Sequence, residues 1–161
     1  MKNFNDKLKK YLTVYKIPIA PNSLDPTIFY FSEIGEPPRL LPGIHSQIIN
    51  DLNFFISEQP TLIEKALLVG PCLEPGLKNK SADLKVLLVL NKKLMSMDVD
   101  GLLAEEILKL SSTLSGKLAS TSLHKIQYLP TVRTIKEISE SYSAIYDIQT
   151  LSWLKLPSGM N

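Results

Sequence analysis

The sequence predicts an α+β fold: a mixed β-sheet with flanking helices, preceded by an N-terminal helix and a β-hairpin. Three observations carry this. Two apolar runs, ALLVG at 66–70 and DLKVLLVL at 83–90, have the length and aliphatic content of buried strands. Segments before and after them place apolar residues at helical spacing: Ile44, Ile48, Leu52 and Phe55, then Leu103, Ile107, Leu110 and Leu114. The loop joining the two runs is too short for an ordinary crossover helix, so the strands should pair antiparallel.

Each element follows in order. Phe4, Leu8, Leu12 and Tyr15 recur at helical spacing with lysines on the other faces, which predicts a short amphipathic helix. Pro18 and Pro21 end it, and PIAPNSLDP is a linker with turn chemistry. TIFYF is β-branched and aromatic and should be a strand. Residues 35–38 (GEPP) turn the chain so that RLLP pairs back as a hairpin arm. A helix is expected over 44–58, with Pro60 just beyond it. The strand at 83–90 is apolar on both faces, which places it centrally in a sheet covered on both sides. Asp98 or Asp100 should cap the next helix. LHKIQYLP alternates as a third strand closed by Pro130. A short helix around 135–141 and a hairpin within SAIYDIQTLSWLKLP complete the chain. The whole reads as one domain, 1–161, with an N-terminal helix and hairpin (1–43), a core (44–130) and a C-terminal extension (131–161).

Composition bounds the function classes. The 161 residues are 44% hydrophobic and 21% charged, enough for one sizeable core and too few for two domains. A formal charge of +2 does not by itself point to nucleic acid. One cysteine and two histidines exclude a disulfide framework and a Cys/His zinc cluster. The first residues, MKNFNDKLKKYLTVYKIPIAP, contain no apolar signal-peptide segment, and no window has the length of a membrane span. The expectation is a soluble cytoplasmic domain with no membrane association.

The chemistry-bearing stretch is LLVGPCLEPGLKNKSADLKVLLVL, residues 67–90. A strand ends at Gly70, a turn reaches Gly76, and Ser81 and Asp83 open the next strand. This resembles the nucleotidyltransferase fold of the DNA polymerase beta superfamily. The signature of that family is a strand ending in Gly-Ser, a turn to a second Gly, and a strand opening Ser-Asp-x-Asp. The likeness spans roughly 44–130, and its specific part is 70–90. In such a site glycines let the backbone approach a triphosphate. Two carboxylates on alternate strand positions hold Mg²⁺, and a third on a later strand completes a two-metal site.

Three departures stand out. Pro71 replaces the serine and lacks an N–H, Lys85 replaces the second aspartate, and LHKIQYLP carries neither Asp nor Glu. The resemblance therefore implies a domain that has lost two-metal catalysis, with Asp83 the one catalytic or metal-binding carboxylate left. Nucleotide or phosphate contacts would come from Gly70, Pro71, Cys72, Gly76, Lys78, Lys80, Ser81 and Lys85, and the partner would be a nucleotide, a nucleic acid or a protein. Two alternatives stay open. One is an active Mg-dependent nucleotidyltransferase that pairs Asp83 with Asp98 or Asp100. The other is a non-enzymatic structural or assembly protein.

Plainer readings stand beside these. Gly70, Pro71, Pro75 and Gly76 can be a loop for backbone reasons alone. Lys78 and Lys80 can be solvated. Cys72 has no motif around it and reads as a buried thiol or bystander. Asp98 and Asp100 suit a helix N-terminus. His45 and His124 lack spaced partners, and Tyr146 and Trp153 should cover the edge of the core. Strand alternation puts Asp83 and Lys85 on one face, where they should meet a cleft beside the 70–76 loop.

Overall fold

The computed structural model describes residues 24–31, 36–57, 59–74, 83–119 and 124–157. The expected N-terminal helix lies outside them, as do Gly76, Lys78, Lys80 and Ser81. β1 (Phe29–Tyr30) and β2 (Arg39–Leu40) form the small antiparallel hairpin, with Phe29 opposite Leu40. α1 (Pro42–Ile56) follows at once, with a proline in its first turn, where a missing N–H costs nothing. Its buried stripe is Ile44, Ile48, Asp51, Leu52 and Phe55.

β3 (Ile63–Val69) and β4 (Leu84–Leu90) are antiparallel neighbours, in a register running from Ile63 opposite Leu90 to Val69 opposite Lys85. After β4 come two helices, the one-turn α2 (Lys92–Ser96) and the longer α3 (Leu102–Leu114). They return the chain so that β6 (Lys125–Thr131) pairs parallel with β4. A two-residue strand, β5 (Lys117–Leu118), adds to the outer side of β6. Past β6, α4 (Ile135–Ser141) leads to the hairpin of β7 (Ile145–Asp147) and β8 (Ser152–Lys155). The six-stranded mixed sheet runs β5-β6-β4-β3-β7-β8, so the α+β class holds.

Residues beyond 130 are more than an extension, because β7 inserts beside β3 and α4 packs on the sheet. Pro130 does not close its strand either. It lies within β6, opposite Leu88, where β5 has already ended and the strand is an edge. That is where proline is tolerated. The same edge is blunted by Ser115, whose Oγ accepts the Tyr128 N–H at 2.9 Å.

The two sheet faces are covered unequally. On one, Ala66, Leu68, Leu84, Val86, Leu88, Leu90, Ile126 and Tyr128 join the main core with residues of α1 and α3. On the other, Leu67, Val69, Leu87 and Val89 are covered by Ile135 and Ile138 of α4. That helix is only seven residues long and starts at a capping box between Thr134 and Glu137. Its cover stops before Lys85, which is exposed while Leu84 and Val86 on either side are buried. The β1–β2 hairpin is clamped by aromatics: the Tyr146 hydroxyl accepts the Leu40 N–H at 3.1 Å, and Trp153 Nε1 donates to the Pro38 carbonyl at 2.7 Å. Phe29 packs on both rings, stacked on Trp153 and edge-on to Tyr146. Trp153 covers the edge of the core as expected, whereas Tyr146 is fully buried within it. No helix among the described residues is long and apolar enough to cross a membrane.

Candidate functional site

The site is built where β3 ends and β4 begins. Antiparallel pairing puts Val69 opposite Lys85, so the next residue, Gly70, meets the lysine stem. Gly70 has φ 92° and ψ −163°, a conformation open in practice only to glycine. A Cβ there would stand 3.3 Å from Lys85 Cδ. The backbone angle calls for glycine, and a Cβ would in addition need the lysine stem to give by a few tenths of an ångström.

β4 then sets the direction of its polar residues. Lys85 points away from the main core, and Asp83, two positions earlier, belongs to the same face by strand alternation. Parallel pairing places Gln127 of β6 beside Lys85, and its Nε2 donates to Asp83 Oδ2 at 3.2 Å. Asp83, Lys85, Gln127 and Gly70 thus gather on the part of the second face that α4 leaves bare. Lys85 is exposed there, on an open face of the sheet.

Pro71, Cys72 and Leu73 form a single 3-10 turn closed by Leu73 N–H to Gly70 O and Glu74 N–H to Pro71 O, each 3.0 Å. The turn directs Cys72 and Leu73 into the main core. Cys72 Sγ lies 3.7 Å from the Val69 carbonyl, and burial pushes the thiol pKa up to about 12. The Cys72 side chain therefore serves packing, as the buried-thiol reading expects.

A divalent metal does not fit the described residues. Asp83 is a lone carboxylate with one oxygen engaged by an amide, and an ammonium group shares its face. No group of three His, Cys, Asp or Glu side chains able to hold a metal occurs among the described residues. Asp98 accepts the Leu103 and Ala104 N–H groups at 3.0 Å each and so caps α3, as the sequence suggested. Asp98 follows β4 and α2, whereas Asp83 stands before β4, at its other end. The structure does not bring Asp98 or Asp100 to Asp83.

The histidines also lie elsewhere. His45 belongs to α1, on the other side of the sheet. His124 is buried, with Nε2 2.9 Å from Asp25 Oδ2. Burial alone would raise the Asp25 pKa, but hydrogen bonds from Thr27 and the contact with His124 outweigh it and hold the carboxyl below its ordinary value.

Two polar groupings went unread in the sequence. Gln127 is one, although Ile126 and Tyr128 turned inward leave it on the face of Lys85. The other is a buried pair in which the Tyr128 hydroxyl donates to Asp51 Oδ2 at 2.6 Å, tying α1 to β6. Burial, then the hydrogen bond to Asp51, raise the Tyr128 pKa well above that of a free phenol. Its signal was a carboxylate on the apolar stripe of α1. Comparison of the chain with family models, with curated proteins and with solved structures gives no match.

Proposed function

We propose that the chain is a nucleotidyltransferase-like domain that has lost two-metal catalysis and binds a nucleotide through its phosphates. One observation carries this reading: an exposed lysine, Lys85, stands on a bare stretch of sheet against a glycine whose conformation only glycine adopts. Lysine supplies a compact positive charge with three donors, suited to a phosphate group. Glycine leaves room for the lysine stem to lie against the strand end. Gln127 engages Asp83 and so reduces its repulsion of an incoming anion. Where the related signature has a carboxylate that recruits a cation, this chain offers the cation itself.

The reading makes two demands. Calorimetric titration with Mg²⁺ or Mn²⁺ should give no tight two-site binding. Incubation with labelled nucleoside triphosphates and either metal should transfer no label to RNA, protein or small acceptors. Tight binding of two metal ions, or transfer of label, would instead establish an active enzyme with a different carboxylate set.

A further inference from the structure

Strand register sets out a wider patch on the part of the second sheet face that α4 leaves bare. Leu118 of β5 is paired with Lys125 of β6, and Lys85 of β4 with Gln127, so these four and Leu129 share one face by alternation. Lys85 and Lys125 are exposed, and Leu118 and Leu129 keep 55% and 39% of their surface open. We infer that this patch is a docking surface for an amphipathic helix of a partner protein, one that carries Asp or Glu along the flank of an apolar seam. The inference does not need the phosphate reading.

Packing argues for a helix. Leu129 is paired with Leu87, which belongs to the apolar cluster that Ile135 and Ile138 of α4 cover. Sheet faces are closed by helices laid side by side, about 8–10 Å apart, and α4 has no such neighbour among the described residues. Leu118 and Leu129 stand at opposite ends of the patch, about 14 Å apart by strand rise and spacing, a span of about three helical turns. Charge argues for an acidic one. Neither lysine is in a salt bridge among the described residues. Asp83, at the entrance of β4, is the one carboxylate beside them, and Gln127 engages one of its oxygens. The lysines are about 8 Å apart, within reach of acids one helical turn apart. The N-terminal segment of the chain does not suit the patch, since residues 1–17 hold five lysines and one aspartate. β4, β5 and β6 put no aromatic ring on this face for bases to stack on, which favours protein over single-stranded nucleic acid.

The test titrates the full chain into two labelled helical peptides of about 18 residues, or five turns. Both carry the same leucine seam, flanked by glutamate in one and by lysine in the other. Fluorescence anisotropy follows binding to the wild-type protein, Lys125→Glu and Leu129→Ser. Both substituted positions are exposed, and circular dichroism checks that the fold is retained. The inference expects saturable binding of the glutamate peptide that weakens as salt rises, about tenfold or more tighter than that of the lysine peptide. Each variant should weaken the glutamate peptide about tenfold, and Lys125→Glu should also narrow the preference between the two. Binding of neither peptide, equal binding of both, or no effect of either variant would overturn the inference. Self-association of the wild-type protein that these variants abolish would overturn it in favour of a second copy of the chain. Binding of a single-stranded oligonucleotide that Lys125→Glu abolishes would overturn it in favour of nucleic acid. A nucleoside triphosphate titrated in parallel reads the phosphate site separately, and its failure to bind would leave this inference standing.

Discussion

Gly70 and Lys85 fit together as backbone and side chain: a Cβ added to Gly70 would press on Lys85 Cδ at 3.3 Å. The pairing of β3 with β4 fixes this contact, since Val69 and Lys85 are register partners at the end of the ladder. Gly70→Ala should therefore act in two ways. Holding alanine at φ 92° should cost about 1–3 kcal/mol of stability. The lysine should also be displaced, weakening anion binding. Urea denaturation and nucleotide titration of the same variant check both effects. An alanine variant as stable as wild type would show that the turn relaxes freely.

The Tyr128–Asp51 hydrogen bond should be a measurable tie between α1 and β6. Tyr128→Phe removes the hydroxyl and leaves the buried Asp51 without that donor. A loss of about 1–3 kcal/mol is expected. Because the phenol is held protonated, tyrosinate absorbance from this residue should appear only when alkali unfolds the chain.

Acid stability should carry the mark of Asp25. Its folded pKa lies below the ordinary 3.8, so the unfolded state takes up a proton first as pH falls. The stabilisation is fully present above the unfolded value and is lost as pH drops below 3.8 through the folded one. Asp25→Asn should lower stability at neutral pH and flatten the pH dependence below about 4. Denaturation curves from pH 2 to 7 decide this, and identical slopes for both proteins would count against it.

Cys72 should be inert in the native protein. With its pKa near 12 and its side chain buried, almost no thiolate is available at neutral pH. Alkylation should be slow until denaturant is added and complete afterwards. Rapid native labelling would mean that the turn at Pro71–Leu73 opens.

How much of this was legible in the sequence depended on periodicity. The stripe at Ile44, Ile48, Leu52 and Phe55 and the runs at β3 and β4 are long enough to state their own structure. The alternation of Asp83, Leu84 and Lys85 gave the shared face correctly. β5 left no trace because Lys117 and Leu118 are two exposed residues with no pattern. α2 was missed because a single turn has no period, although Asn91, whose side chain accepts from Lys93 and Leu94 N–H, was its visible cap. The insertion of β7 beside β3 could not be read from three residues. Gln127 was hidden for a different reason: its meeting with Asp83 depends on the register of two strands joined through α2 and α3, which no local pattern records. Cys72 matches the plainer reading of a buried thiol, which the lack of any motif around it had suggested.

The central claim is that Lys85 takes the place of a metal. A nucleoside triphosphate titrated into the protein in EDTA, across a series of salt concentrations and repeated on Lys85→Ala, tests it most directly. Lys85 is exposed, so the substitution should leave the fold intact. The account predicts metal-independent binding that weakens as salt rises and falls about tenfold or more in the variant. Equal binding by the two proteins, or binding that requires Mg²⁺, would contradict it.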